Sequence, residues 1–80
     1  MTINEHERVI LTVDLPLHHL AAGDVGTVIH MYDDTAAFEV EFVALDGATI
    51  ARVTVDQEQV RKVLAREITR ARLLPEQPLE

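Results

Sequence analysis

Residues 23–42 decide the fold: Gly23-Asp24-Val25-Gly26-Thr27-Val28-Ile29-His30-Met31-Tyr32-Asp33-Asp34-Thr35-Ala36-Ala37-Phe38-Glu39-Val40-Glu41-Phe42. Two glycines three apart predict a positive-φ turn and then a bulge or close backbone approach. Val25 to Tyr32 reads as a strand. Asp33-Asp34-Thr35-Ala36 reads as a hairpin turn, because short carboxylate side chains bond nearby backbone. Phe38-Glu39-Val40-Glu41-Phe42 alternates strictly. That alternation sends Phe38, Val40 and Phe42 to a core and Glu39 and Glu41 to water.

Working outward, Arg8 to Asp14 is rich in β-branched residues and predicts a first strand. Val9, Leu11 and Val13 share one face, while Ile10 and Thr12 share the other, so a curled sheet covers part of both. Leu15-Pro16 ends that strand. Leu17-His18-His19-Leu20-Ala21-Ala22 then reads as a loop whose leucines tuck under the sheet and whose histidines face out. Asp46-Gly47 predicts a second hairpin turn. Thr49 to Val55 reads as a fourth strand with Ala51, Val53 and Val55 inward. Arg52 and Thr54 face outward, with Arg52 opposite Glu39 or Glu41 in a pair worth only about 0.2–1 kcal/mol.

From Asp56 two readings stand. Val60, Val63, Leu64, Ile68, Ala71 and Leu74 recur at helical spacing, and Asp56 with Gln59 resembles a capping box, which together predict one continuous helix. The other reading is a helical turn at Asp56 to Gln59, a short fifth strand at Arg61-Lys62-Val63 and a helix from Ala65 to Leu73. The second is preferred, because a fifth strand covers the open edge of a four-strand meander. Pro75 and Pro78 stop any helix there. Leu79-Glu80 is open to two readings, native sequence or a cloning remnant.

Eighty residues bound the chain to one domain. There is no cysteine, so neither a disulfide nor a thiolate metal site is available. No secretory pattern opens the chain, and no apolar run reaches the ~20 residues of a membrane span. A cytoplasmic location is expected. Residues 1–58 carry 11 acidic and 2 basic side chains, a net of −9, whereas residues 59–80 carry 5 basic and 3 acidic, a net of +2. An acidic body repels phosphate, which counts against general nucleic-acid binding.

The joint pattern of Leu11, Asp14-Leu15-Pro16, Leu20, Gly23-Asp24-Val25-Gly26-Thr27-Val28, Tyr32, Phe38-Glu39-Val40-Glu41-Phe42, Gly47 and Arg66-Glu67-Ile68 resembles a family of small bacterial proteins known as a domain of unknown function. The resemblance covers residues 8–72 and implies an SH3-like β-barrel. The Gly-Asp-Val-Gly-Thr-Val run is also similar to KOW motifs of ribosomal and elongation proteins and to the small barrel of nitrile hydratase β subunits. KOW modules bind RNA with basic residues, whereas the equivalent stretch here is acidic.

Chemistry-bearing residues are sparse. The histidines are His6, His18, His19 and His30, and zinc needs three or four ligands at about 2.0–2.2 Å. A site of His18, His30 and an Asp is conceivable, but four unconnected surface histidines are the simpler reading. Serine is absent as well as cysteine. The threonines sit in no base-and-orienter arrangement. Glu39 and Glu41 lie two apart on one strand face, where such a pair serves solubility more often than acid–base chemistry. One Tyr and two Phe are too few for a polyproline groove. Arg61, Lys62, Arg66, Arg70 and Arg72 form a basic segment interrupted only by Glu67. It is either a docking surface for an acidic partner or nucleic acid, or a cover for the chain's own acidic body.

The sequence therefore predicts an all-β fold: a small five-stranded SH3-like barrel with a short C-terminal helix. Its layout is a flexible start at 1–7, barrel at 8–64, helix at 65–74 and tail at 75–80. The expected function is a non-enzymatic protein-interaction or accessory module. The alternatives are a KOW-like RNA-binding module or the helper subunit of a larger enzyme. No cofactor or metal is expected. The candidate partner-binding residues are Arg66, Arg70, Arg72, Glu39, Glu41, His18 and His19. The partner is a protein, including a second copy docked through the C-terminal helix.

Overall fold

The computed structural model describes residues 3–32 and 36–74. Asp33 to Thr35 of the expected Asp33–Ala36 turn, the helix-stopping Pro75 and Pro78, and the terminal Leu79-Glu80 lie outside these residues. Five strands form one antiparallel sheet: β1 (Arg8–Leu11), β2 (Val25–Tyr32), β3 (Ala37–Val43), β4 (Thr49–Asp56) and β5 (Val60–Lys62). Their order is β4-β3-β2-β1-β5. Among the described residues the fold is all-β, as expected, with a short 3-10 turn at Pro16–His18.

Two expectations are overturned. No ladder joins β4 to β5, so the sheet is open, not a closed SH3-like barrel. After β4 the chain turns at once, with Gln59 N–H bonding Asp56 O at 3.0 Å, and its three-residue β5 pairs with β1 at the far side of the sheet. Nor do the described residues of the C-terminal segment form a helix: residues 63–74 are irregular. A helix of about ten residues is marginal alone. Here Glu67 and Arg72 are drawn to separate places on the sheet.

Alternation works as the sequence predicts in β3 and β4. Phe38, Val40 and Phe42 join Val53 and Val55 in one core with Val9, Leu11, Leu20, Val28 and Val60. No polar side chain is buried among the described residues. One layer of strands buries these residues only by coiling strongly over its own inner face, in the sense that strand twist favours. Leu20 enters the core, but Leu17, expected there too, is 94% exposed.

β2 carries the two devices that shape the sheet. Gly23 opens it with φ of 98°. Gly26 faces inward where Val40 and Phe42 cross it; a Cβ there would lie 2.5 Å from Val40 Cγ1 and 2.7 Å from a Phe42 ring carbon. A register shift between Val28 and His30 then makes Ile29 an extra residue against β3. The bulge changes phase: Val28 points in before it and Met31 packs on the core after it. His30 and Tyr32 are thereby turned to the outer face. The hairpin expected at Asp46-Gly47 closes through a three-residue loop. Ala44 N–H bonds Ala48 O, and Gly47 takes φ of 93°.

Candidate functional site

The outer face of β1 is set by alternation. Val9 and Leu11 point inward, so Arg8 and Ile10 point outward. Register then places Val25 of β2 and Arg61 of β5 on either side of Ile10. Ile10 is buried although it lies on the outer face. Its cover is the irregular segment 63–70, which runs over it as a strap.

The strap is fixed at two points. Arg61 Nη1 and Nη2 donate to Glu67 Oε1 and Oε2 at 2.9 and 2.6 Å, a two-bond clamp. Glu67 Oε1 also accepts the Leu64 N–H at 2.7 Å. Further along, Arg72 Nε and Nη2 donate to Asp24 Oδ1 and Oδ2 at 2.9 and 2.5 Å, and Nη2 also reaches His19 O at 2.9 Å. The Asp24 carboxylate is held in place by the Ala21 N–H. His19 presents its carbonyl because it takes a left-handed conformation, φ 60°, at the end of the 3-10 turn.

Both carboxylates are held below their ordinary range. The Arg61 hydrogen bonds, followed by the Leu64 N–H, bring Glu67 to about 2. Burial would raise Asp24, but the bonds from Arg72 and Ala21 outweigh it and lower it. A lowered carboxylate stabilises the docked strap above its unfolded pKa, and that contribution is lost as pH falls through the folded value. The strap is therefore expected to stay docked at neutral pH and to release in strong acid. In an acid titration the Leu64 and Ala21 amide resonances should shift only below the usual carboxylate range, Leu64 with a midpoint near 2. Titration of Leu64 at an ordinary glutamate pKa would show that the clamp does not form.

Between the two fixed points the strap leaves a cleft of about 230 Å³. Apolar Ile10, Val25, Val63 and Ile68 line it together with Arg8, Arg61, Arg70 and the Glu67 carboxylate. Arg61 is committed to Glu67. Arg8 and Arg70 make no ion pair among the described residues.

The other candidates lie elsewhere. Glu39 accepts the Tyr32 hydroxyl at 2.9 Å, which raises the phenol pKa, and the His30 ring meets Tyr32 edge-on at 4.6 Å. Glu41 accepts from the Thr49 hydroxyl and from Arg52 Nε at 3.0 and 3.4 Å; of the two partners considered for Arg52, the structure selects Glu41. Glu39 and Glu41 thus serve cross-strand contacts on β3. His18 is exposed in the 3-10 turn, and no three His, Asp or Glu side chains cluster as metal ligands among the described residues. Arg66 is exposed outside the cleft. Of the predicted set, Arg70 lines the cleft, while Arg72 and the His19 carbonyl pin the strap beside it. Arg8, Ile10 and Asp24 were missed, since nothing local marks them. Glu67, the lone acid in the basic segment, was the available clue.

The model of a family described as a domain of unknown function (DUF4926) matches residues 5–62. That span covers the sheet, with Arg8, Ile10, Val25 and Arg61, and ends before the strap. No curated protein and no solved structure matches the chain. No helix among the described residues is long and apolar enough to cross a membrane.

Proposed function

Since the chain belongs to DUF4926, a family of domains of unknown function, we propose that it is a small non-enzymatic interaction module whose strap cleft receives an acidic and apolar segment of a protein partner. The observation that carries this reading is the cleft itself: Arg8 and Arg70 stand beside apolar Ile10, Val25 and Val63 in a chain of net charge −7, while Arg61 is occupied by Glu67. Arginine is suited to the task because its fork binds carboxylates through two bonds and is weakly hydrated. The cysteine-free composition fits a cytoplasmic setting.

Peptide display against the folded chain tests the reading. Selected peptides should place Asp or Glu next to Leu, Ile or Phe. Their binding should fall at least about tenfold in the Arg8→Glu, Arg70→Glu variant and weaken with salt. Arg66→Glu, outside the cleft, should leave peptide binding intact. No enrichment, or equal binding by the variants, would remove the proposal. The RNA-binding alternative has one observation in its favour, the exposed Arg66 and Arg70. RNA retained at low salt and lost on Arg66→Glu would select it instead.

A further inference from the structure

We propose that the free edge of β4 is a self-association surface, pairing antiparallel with β4 of a second copy about a two-fold axis at Thr54. The inference is independent of the strap cleft. β4 is the outermost strand of the sheet on its side. Its hydrogen-bond phase follows from one contact: Gln57 N–H bonds Ala36 O at 3.0 Å, and the same register sets Ala37 against Asp56. Positions 36 and 57 are thus a directly bonded pair. Bonded pairs recur every second residue, so Val55, Val53 and Ala51 turn their backbone toward β3. The backbone groups of Arg52 and Thr54 point away from the sheet. Nothing bonds them there among the described residues.

Exposed edges are usually blunted by proline, a bulge or a charge. Between Ile50 and Val55 β4 has no proline, and its one register shift lies at its start, by Val43. Its one charge in that stretch, Arg52, leans back over β3 to Glu41.

Charge complementarity selects a second copy and fixes the register. With the axis at Thr54, threonine meets threonine, and Arg52 stands opposite Asp56 of the partner subunit, twice by symmetry, its guanidinium shared between that carboxylate and Glu41 of its own subunit. Opposed threonines and opposite charges are both favourable cross-strand pairs. An axis at Arg52 would set arginine against arginine. An axis at Val53 would leave both charges unmatched. The Asp56 N–H is held by its own Gln59 side chain at 2.9 Å, a bond that exchanges for one to the partner subunit.

The absence of cysteine gives a clean test. Bonded antiparallel positions have Cα atoms about 5.5 Å apart, within disulfide range, so oxidised Thr54→Cys should form a covalent dimer about tenfold faster than Thr49→Cys. Sedimentation should show a concentration-dependent dimer for the unaltered chain. Thr54→Pro, which deletes the edge N–H but is tolerated on an outer strand, should be monomeric with an unchanged circular dichroism spectrum. A chain that sediments as a monomer at every concentration overturns the proposal. So do cysteine variants that crosslink at equal rates.

Discussion

Replacing Gly26 with alanine is expected to destabilise the fold by about 1–3 kcal/mol, and replacing it with valine to leave little folded protein. The added Cβ would stand 2.5 Å from Val40 Cγ1 and within 2.9 Å of two Phe42 ring carbons. Neither neighbour can withdraw easily, since both are buried in a core shared by all five strands. An 80-residue domain has roughly 4–12 kcal/mol of net stability at typical values per residue. Urea denaturation followed by circular dichroism would read the loss. Gly23→Ala is the control: a Cβ there meets nothing within 4 Å, and its cost, about 1–2 kcal/mol, comes only from φ of 98°. An unchanged midpoint for Gly26→Ala would show that β3 yields to the extra methyl group.

Phe42→Ala is expected to cost more, about 3–5 kcal/mol, because it empties a ring-sized volume where Gly26 offers no side chain to fill it. Phe42 is 2% exposed, and it closes the core where β2 crosses β3. The two sites should not be additive. With the ring gone, the alanine at position 26 has space, so the double variant should be more stable than the sum of the single losses predicts. Strict additivity would mean that the clash is with Val40 alone.

The strands were legible because their information is local. Phe38 to Phe42 alternates, and a strand with one buried face must do so. Val25 to Tyr32 was bounded correctly, yet its bulge at Ile29 was invisible, because register belongs to two strands at once. The C-terminal segment misled for a related reason. Leu64, Ile68 and Ala71 have helical spacing, but spacing matters only when a face is buried, and Ile68 is 94% exposed. What fixes residues 64–72 instead are Arg61, six residues before Glu67, and Asp24, forty-eight before Arg72. No window along the sequence displays the second pairing. The cleft was half legible: Arg70 stood out in a basic run, whereas Arg8 gained meaning only once β1 lay beside β5.

That placement of β1 governs the order of assembly. β2, β3 and β4 are successive neighbours, so their meander closes through short loops. β1 is different: Val9, Ile10 and Leu11 pair with Lys62, Arg61 and Val60, about fifty residues later. Closing so long a loop is entropically expensive and slow, and it is rewarded only when the last partner arrives. The first strand in the chain is therefore expected to be the last to complete its hydrogen bonds. Until then the Leu11 side of the core stays open to water, and the strap has no surface on which to settle.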